Sequence, residues 1–377
     1  MDFNYFLPTN LVFGRGKIEQ LGSISKKYGK KAMVVTGKNS TKKTGLLDRT
    51  VKILKNSGIE TIIFDEVMPN PLTTTAIRGA EIAKQEKCEV IIGLGGGSIL
   101  DCSKAIAFLC ANDGDINEYI FNKRMSDLAL PVILVPTTCG TGSEGNGFAV
   151  LTNPENGDKK SLRCNAIVAK ASIIDSELME TMPKGVLASV GFDALCHNME
   201  AFLSKIGNPF TEMQSMYAMD LIGKNLVPVY EGDGNANAWD AISLASTLGG
   251  MVIHSAGVTL AHGMEHPASG LRNLVHGKGL AALTPVIMEA TASECPEKFA
   301  TISRYLGGKN ESDCVDRIKE LLRQLNLCTT LSEQGVLETD VDWMVGNCLK
   351  VSAAGIQNHP VYFGTEEIRE LYQKALG

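Results

Sequence analysis

The sequence predicts an α/β domain built on a parallel sheet, followed by a domain made almost wholly of helices. Two observations carry this. Through the first half of the chain, short β-branched runs alternate with segments whose apolar residues recur at helical spacing. After "SIIDSELMETMP" (172–183) the strand-like runs cease and long helical stretches follow. The length of 377 residues allows about two domains at roughly 100–200 residues each. In order, "KKAMVVTG" (30–37), "ETIIFDEV" (60–67), "CEVIIGLGGG" (88–97) and "LPVILVPTT" (130–138) read as buried strands. "TGLLDRTVKILKNSG" (44–58) and "TAIRGAEIAKQEK" (75–87) read as crossover helices, which gives a βαβ pattern. Helices are expected over 184–205, 209–224 and 236–255. Pro183, suited to a first helical turn, sets the boundary between domains 1–182 and 183–377.

Thirty-six basic and 42 acidic residues give a net charge of -6, with no long basic run to follow a phosphate backbone. Nucleic acid is therefore not an expected partner. The opening "MDFNYFLPTNLVFG" lacks a basic segment followed by an apolar one, and no apolar run reaches the ~18–20 residues of a membrane span. A cytoplasmic protein with no membrane partner is expected. The ten cysteines form no C-x-x-C pair, so they read as reduced core thiols.

Chemistry enters at two glycine-rich strand ends. In "VIIGLGGGSILDCSKAIA", Gly93, Gly95, Gly96 and Gly97 lie between an apolar strand and a helix. Backbone N–H groups there can approach a pyrophosphate, and the helix N-terminus favours the anion. Ser98 occupies the last glycine position of G-x-G-x-x-G, and a tight strand-to-helix turn is the plainer alternative. A second such loop, "VPTTCGTGSEGNGFAV", offers the hydroxyls of Thr137, Thr138, Thr141 and Ser143. Two loops at the same edge of a parallel sheet suit a nucleotide.

The six histidines are sparse, yet three of them fall within 257–279. Residues four apart share a helix face, as do Asp193 and His197, and His262 and His266. Pro267 is expected to end the second helix, letting the chain return His276 to it. Asp193, His197, His262 and His276 together supply one carboxylate and three imidazoles, a set suited to Fe(II) or Zn(II) with one position left for substrate.

With these motifs in order, the chain resembles the iron-containing alcohol dehydrogenase family, which shares a superfamily with glycerol dehydrogenase and dehydroquinate synthase. The resemblance spans "FLPTNLVFGRGKIEQLG", the "PNP" at 69–71, "GGGSILDCSKAIA", "PTTCGTGSE", "GFDALCHNMEAF", "HGMEHPASG", His276-Gly277 and "TEEIRELYQKAL". It implies a Rossmann-like nucleotide domain plus an all-α metal-binding domain, with Asp193, His197, His262 and His276 as ligands and His266 near substrate and nicotinamide. It also implies that Asn70, Gly95, Gly96, Gly97, Ser98 and Asp101 lie along the cofactor, that Thr137, Thr138, Thr141 and Leu178 touch it, and that Lys160 reaches its ribose, with Lys159 adjacent. A homodimer or larger homo-oligomer is implied as well.

Three departures from the family pattern stand out. Where NAD-preferring members often carry an aspartate, this chain has Gly37, followed by Lys38, Asn39 and Ser40. Nothing there repels a 2′-phosphate, so NADP(H) is expected over NAD(H), held by Gly37, Asn39, Ser40 and Lys38, Lys42 or Lys43. Gly145-Asn146-Gly147 then either opens a more polar pocket with Phe148, Ile253 and His254, or forms only a turn. Cys139 stands where alanine is common, either oxidation-sensitive or simply packed. The expected activity is metal-dependent, NAD(P)H-linked interconversion of small primary alcohols and aldehydes. A polyol dehydrogenase or a reductase of a polar aldehyde is the alternative. A more distant one is a zinc peptidase, because His262–His266 also reads H-x-x-E-H.

Overall fold

The computed structural model describes residues 2–377; Met1, included in the expected first domain, lies outside them. Six parallel strands form the sheet: β1 (Asn10–Phe13), β2 (Lys31–Gly37), β3 (Glu60–Val67), β4 (Val90–Gly95), β5 (Val132–Pro136) and β8 (Ala171–Ile174). Their order is β1-β8-β5-β4-β2-β3. All four strand runs of the sequence are present. The edge strand β1 and β8 add to them, each only four residues long.

Alternation along the strands builds two cores. Met33, Val35 and Ile91 pack on one face with helices Thr73–Gln85 and Gly97–Ala111, while Ala32, Val34, Val90 and Ile92 pack on the other with Ile18, Leu21, Leu46 and Leu47. The crossovers run outward to β3 on one side and to β5 and β8 on the other, so the chain changes direction between β2 and β4. Ligands of open α/β sheets bind beyond the strand ends at such a point. A separate antiparallel hairpin, β6 (Phe148–Thr152) with β7 (Lys159–Arg163), leaves the sheet just after the second glycine-rich loop. Its Lys-Lys-Ser stretch gave no apolar signal.

The helical part begins with Lys184–Leu203, for which Pro183 is the flanking residue rather than a member of the first turn. Pro209–Glu231 starts with proline behind an Asn208 capping box and continues beyond the expected end. Ala236–Ala256 follows. Among the described residues no single helix is long and apolar enough to cross a membrane; the apolar helices Ala236–Ala256 and Leu260–Arg272 meet at 101° and are largely buried.

Pro267 does not end its helix, contrary to expectation: Leu260–Arg272 runs through it and stops at Asn273, which adopts the left-handed conformation. A proline at that position removes the donor for the Gly263 carbonyl. The Cys348 thiol, 3.3 Å away, donates to that carbonyl instead.

Candidate active site

Three helices converge on one point. Lys184–Leu203 presents Asp193, His197 and Glu200 on one face, Leu260–Arg272 presents His262, Glu265 and His266, and His276 opens His276–Thr291. The last helix comes close because residue 277 is glycine. A Cβ there would stand 2.1 Å from the Ser189 carbonyl oxygen.

Asp193 Oδ1 lies 3.3 Å from His262 Nε2, 3.6 Å from His276 Nε2 and 3.6 Å from His197 Nδ1. Ligands about 2.0–2.1 Å from a tetrahedral metal are about 3.4 Å apart, so these separations fit one ion. Asp193, His262 and His276 each offer an atom within 4.8 Å of the others. His197 stands beside this set rather than in it: its ring stacks on His262, with centroids 4.5 Å apart, and its Nδ1 is also 3.3 Å from the Gly140 carbonyl.

Two carboxylates not singled out from the sequence as metal-site groups stand behind these imidazoles. Glu200 Oε1 lies 2.5 Å from His262 Nδ1, and Glu265 Oε2 lies 2.6 Å from His276 Nδ1, the latter off the line of a straight hydrogen bond. Each turns an Nε2 toward Asp193, the usual way a carboxylate orients a metal-binding histidine. The signal was present in Glu200, one turn beyond His197.

The electrostatics follow from burial. Burial opposes ionisation of Asp193, but the charges of His197, His276 and His262 outweigh it and hold the carboxyl well below its usual range. Burial likewise works against the Glu200 and Glu265 carboxylates; His262 and His276, respectively, more than compensate. Burial pushes His197 down to about 4. Burial also disfavours the His262 imidazolium, yet Glu200 and Asp193 raise it to about 10. Such a cluster concentrates negative charge around buried nitrogen donors, which suits a divalent cation.

His266 lines the same cleft, its ring 6.2 Å from that of His262 and 6.0 Å from that of His276, outside the clustered set. Burial, then Lys159, holds it well below its ordinary value, so it is a neutral imidazole at neutral pH. The H-x-x-E-H peptidase reading fails here. Glu265, meant as the base, is fully buried, accepts from Ser269 and sits 3.5 Å from Lys159 Nζ.

The two lysines of β7 take different partners. Successive β7 residues face opposite sides, so Lys159 lines the cleft and donates to Asn70 Oδ1 at 3.0 Å. Lys160 instead donates to the Val351 carbonyl at 2.7 Å, in an adjoining hollow.

The cleft also reaches Asn70, Gly97, Ser98, Asp101 and Thr141. The two glycine-rich loops touch: a Cβ on Gly97 would fall 2.3 Å from the Thr141 methyl. Helix Gly97–Ala111 starts without a side-chain cap, leaving first-turn amides for an anion. Gly95, Gly96, Thr137 and Thr138 lie beneath, joined by the Thr137 N–H to the Gly95 carbonyl. Asp101 is already engaged, accepting from Ser143 Oγ and the Val150 N–H. Leu178 packs into the sheet core beside Ile18 and Leu21. Gly37, Asn39 and Ser40 lie at the end of β2, beside β4. Of the lysines near them, Lys42 is paired with Asp65, whose carboxyl that pairing lowers.

Asn146, Phe148 and Ile253 line the cleft, and His254 lines an adjoining hollow. The Asn146 side chain is committed: its Oδ1 accepts from Lys104 and from the Phe148 N–H, both at 3.0 Å. His254 Nδ1 accepts from the Gly147 N–H at 3.3 Å. Cys139 is packed in the helical core, where burial pushes its thiol up to about 12.

His359 is buried away from this site, within 2.9 Å of the Thr291 hydroxyl. Burial depresses it to about 4. Below pH 6.5 the unfolded chain takes up a proton that the folded one resists, so stability is lost as pH falls from 6.5 through about 4. The loss amounts to roughly 3 kcal/mol. Denaturant titrations across that range should show the loss, and a smaller one in His359→Gln; equal losses would remove His359 as the cause.

The architecture and the sequence point to the same relatives. Residues 8–176 match the model "Iron-containing alcohol dehydrogenase", and residues 187–376 match "Fe-containing alcohol dehydrogenase family, C-terminal". The 1,3-propanediol dehydrogenase of Citrobacter freundii is 33% identical over 383 residues, covering 99% of this chain and 98% of the relative. The NADPH-dependent butanol dehydrogenase of Clostridium saccharobutylicum is 30% identical over 386 residues, covering 98% and 97%. Among solved structures, the archaeal Red Sea brine pool alcohol dehydrogenase ADH/D1 superposes with a TM-score of 0.95 at 33% identity, covering 100% of this chain and 99% of that one. With family models matching both halves and full-length relatives 30% identical or more, the chain belongs to the iron-containing alcohol dehydrogenase family.

Proposed function

We propose that this oxidoreductase reduces small aldehydes, and oxidises the corresponding primary alcohols, with NADP(H) preferred over NAD(H). The observation that carries the reading is the single cleft lined both by the glycine-rich loop at Gly97 and by the Asp193, His262 and His276 cluster. Fe(II) or Zn(II) in that cluster supplies Lewis acidity, and a nicotinamide supplies or accepts hydride. Asp193, His262 and His276 hold the metal, and His197, beside them, completes the set by turning a ring nitrogen to it. Glu200 and Glu265 aim two of the imidazoles. The amides after Gly96 anchor the pyrophosphate, and Lys159 lies beside the cofactor's path. Neutral His266 takes up and passes on the proton at its ring nitrogens. The division at 182/183 separates the two contributions, and a homo-oligomer is the working form.

The nucleotide preference rests on Gly37 and the amide and hydroxyl residues that follow it. A Cβ at Gly37 meets Ile99 at 3.4 Å, ordinary contact, and its φ is not left-handed, so an aspartate can be introduced there. Protein prepared without oxygen and reloaded with Fe(II) or Zn(II) should oxidise NADPH faster than NADH with small aldehydes. Gly37→Asp should reverse the order, by about tenfold or more through repulsion of the 2′-phosphate. A variant that keeps its NADPH preference would sink the assignment, and no turnover with either nucleotide would sink the reaction.

A further inference from the structure

Arg163, the last residue of β7, borders the cleft that holds the metal cluster and also the two hollows beside it. Its guanidinium lies 4.5 Å above the Phe148 ring centre, and Ile253 and Val258 line the same cleft. Arg124, Arg272 and Arg369 each pair with a carboxylate. Arg163 pairs with none among the described residues. Its neighbours do not balance it: Lys160 and His254 are both pushed down, first by burial and also by the Arg163 charge. Asp127 lines the second hollow with Arg163 but forms no ion pair with it, and Asp158, before the far end of β7, is held by Asn347 at 2.7 Å and Lys350 at 2.6 Å. The acids lining the cleft are likewise engaged, Asp193 in the cluster and Asp101 by Ser143 and Val150.

A guanidinium stacked on an aromatic ring at the rim of the cleft, exposed and with no carboxylate on it, is open to an arriving anion. A guanidinium fork suits a carboxylate or sulfonate, which it can bind through two N–H groups at once. We infer that Arg163 forms a subsite for an anionic group at the far end of the substrate, so that the preferred aldehyde carries a carboxylate or a sulfonate. This rests on the aldehyde-reducing reading above. An oriented cation in a cleft discriminates more sharply than a hydrophobic wall, because the wrong substrate leaves it unpaired.

The test compares kcat/KM for butanal, succinic semialdehyde and sulfoacetaldehyde on metal-loaded enzyme. The expected result is a preference of about 100-fold for one or both anionic aldehydes over butanal. Which anion wins distinguishes carboxylate from sulfonate recognition. In Arg163→Met the ratio of anionic to neutral kcat/KM should collapse by about the same factor, mainly through KM, and Arg163→Lys should restore part of it. Butyrate or propane-1-sulfonate should inhibit butanal reduction in the parent protein and lose that effect in Arg163→Met. If butanal turns over but is preferred, or if the ratio and the inhibition ignore Arg163, the subsite is overturned while the dehydrogenase stands. If no aldehyde turns over with either nucleotide, the activity itself falls, and the subsite with it.

Discussion

Alanine at His262 is expected to leave the purified protein without tightly bound metal and to cut turnover by about a thousandfold or more. The cut corresponds to the several kcal/mol a Lewis acid contributes to charge stabilisation. His262 is central to the cluster. Its Nε2 is 3.3 Å from Asp193 Oδ1, and its Nδ1 is backed by Glu200 at 2.5 Å. Its loss removes a donor and leaves a buried carboxylate without its partner. His266→Ala is the control. That residue lines the cleft but stands outside the clustered donors, so the variant should keep its metal while losing about a hundredfold in rate, with an altered pH profile, if it relays the proton. Metal analysis by plasma mass spectrometry separates the two cases. Empty His266→Ala protein, or fully loaded His262→Ala protein, would reverse the assignments.

The broad architecture was legible because each level repeated the same message. The β-branched runs of β2, β4 and β5 are buried on both faces and therefore read as continuous apolar stretches, while β3, at the sheet edge, is partly exposed. β1 and β8 escaped because four residues give too short a pattern, and the β6/β7 hairpin because three of the five residues of β7 are lysine or serine. The metal residues could be read from helical spacing, since residues four apart share a face wherever the helix lies. Spacing alone could not tell Lys159 from Lys160. Their difference is which side of β7 each occupies, and that depends on the register of a hairpin absent from the sequence reading. Pro267 failed as a stop signal for a tertiary reason. Cys348, 85 positions away in the chain, donates to the carbonyl the proline leaves without a partner.

The carboxylates behind the histidines were the larger omission, and they lead to the second strong prediction. Glu200 is buried and its two oxygens serve several donors. Oε1 faces His262 Nδ1, while Oε2 accepts from the Thr259 N–H at 2.6 Å, the Thr259 hydroxyl at 3.0 Å and the His262 N–H at 3.4 Å. Removing the carboxylate with Glu200→Ala strands these donors in the interior and should cost about 3–5 kcal/mol of stability. Glu200→Gln isolates the electronic role. Its carbonyl can replace Oε2, but its NH2 group then faces His262 Nδ1 and must donate to it. That hydrogen bond drives the imidazole proton to Nε2, the nitrogen aimed at Asp193 and the metal. Metal affinity should fall by about 10–100-fold with the fold largely intact, as is typical when the group behind a metal-binding histidine is lost. Competition against a chelator, alongside thermal unfolding of the metal-free protein, measures both quantities. An unchanged affinity in Glu200→Gln would mean that Glu200 is a structural cap for the helix at Thr259 and does not set the His262 tautomer.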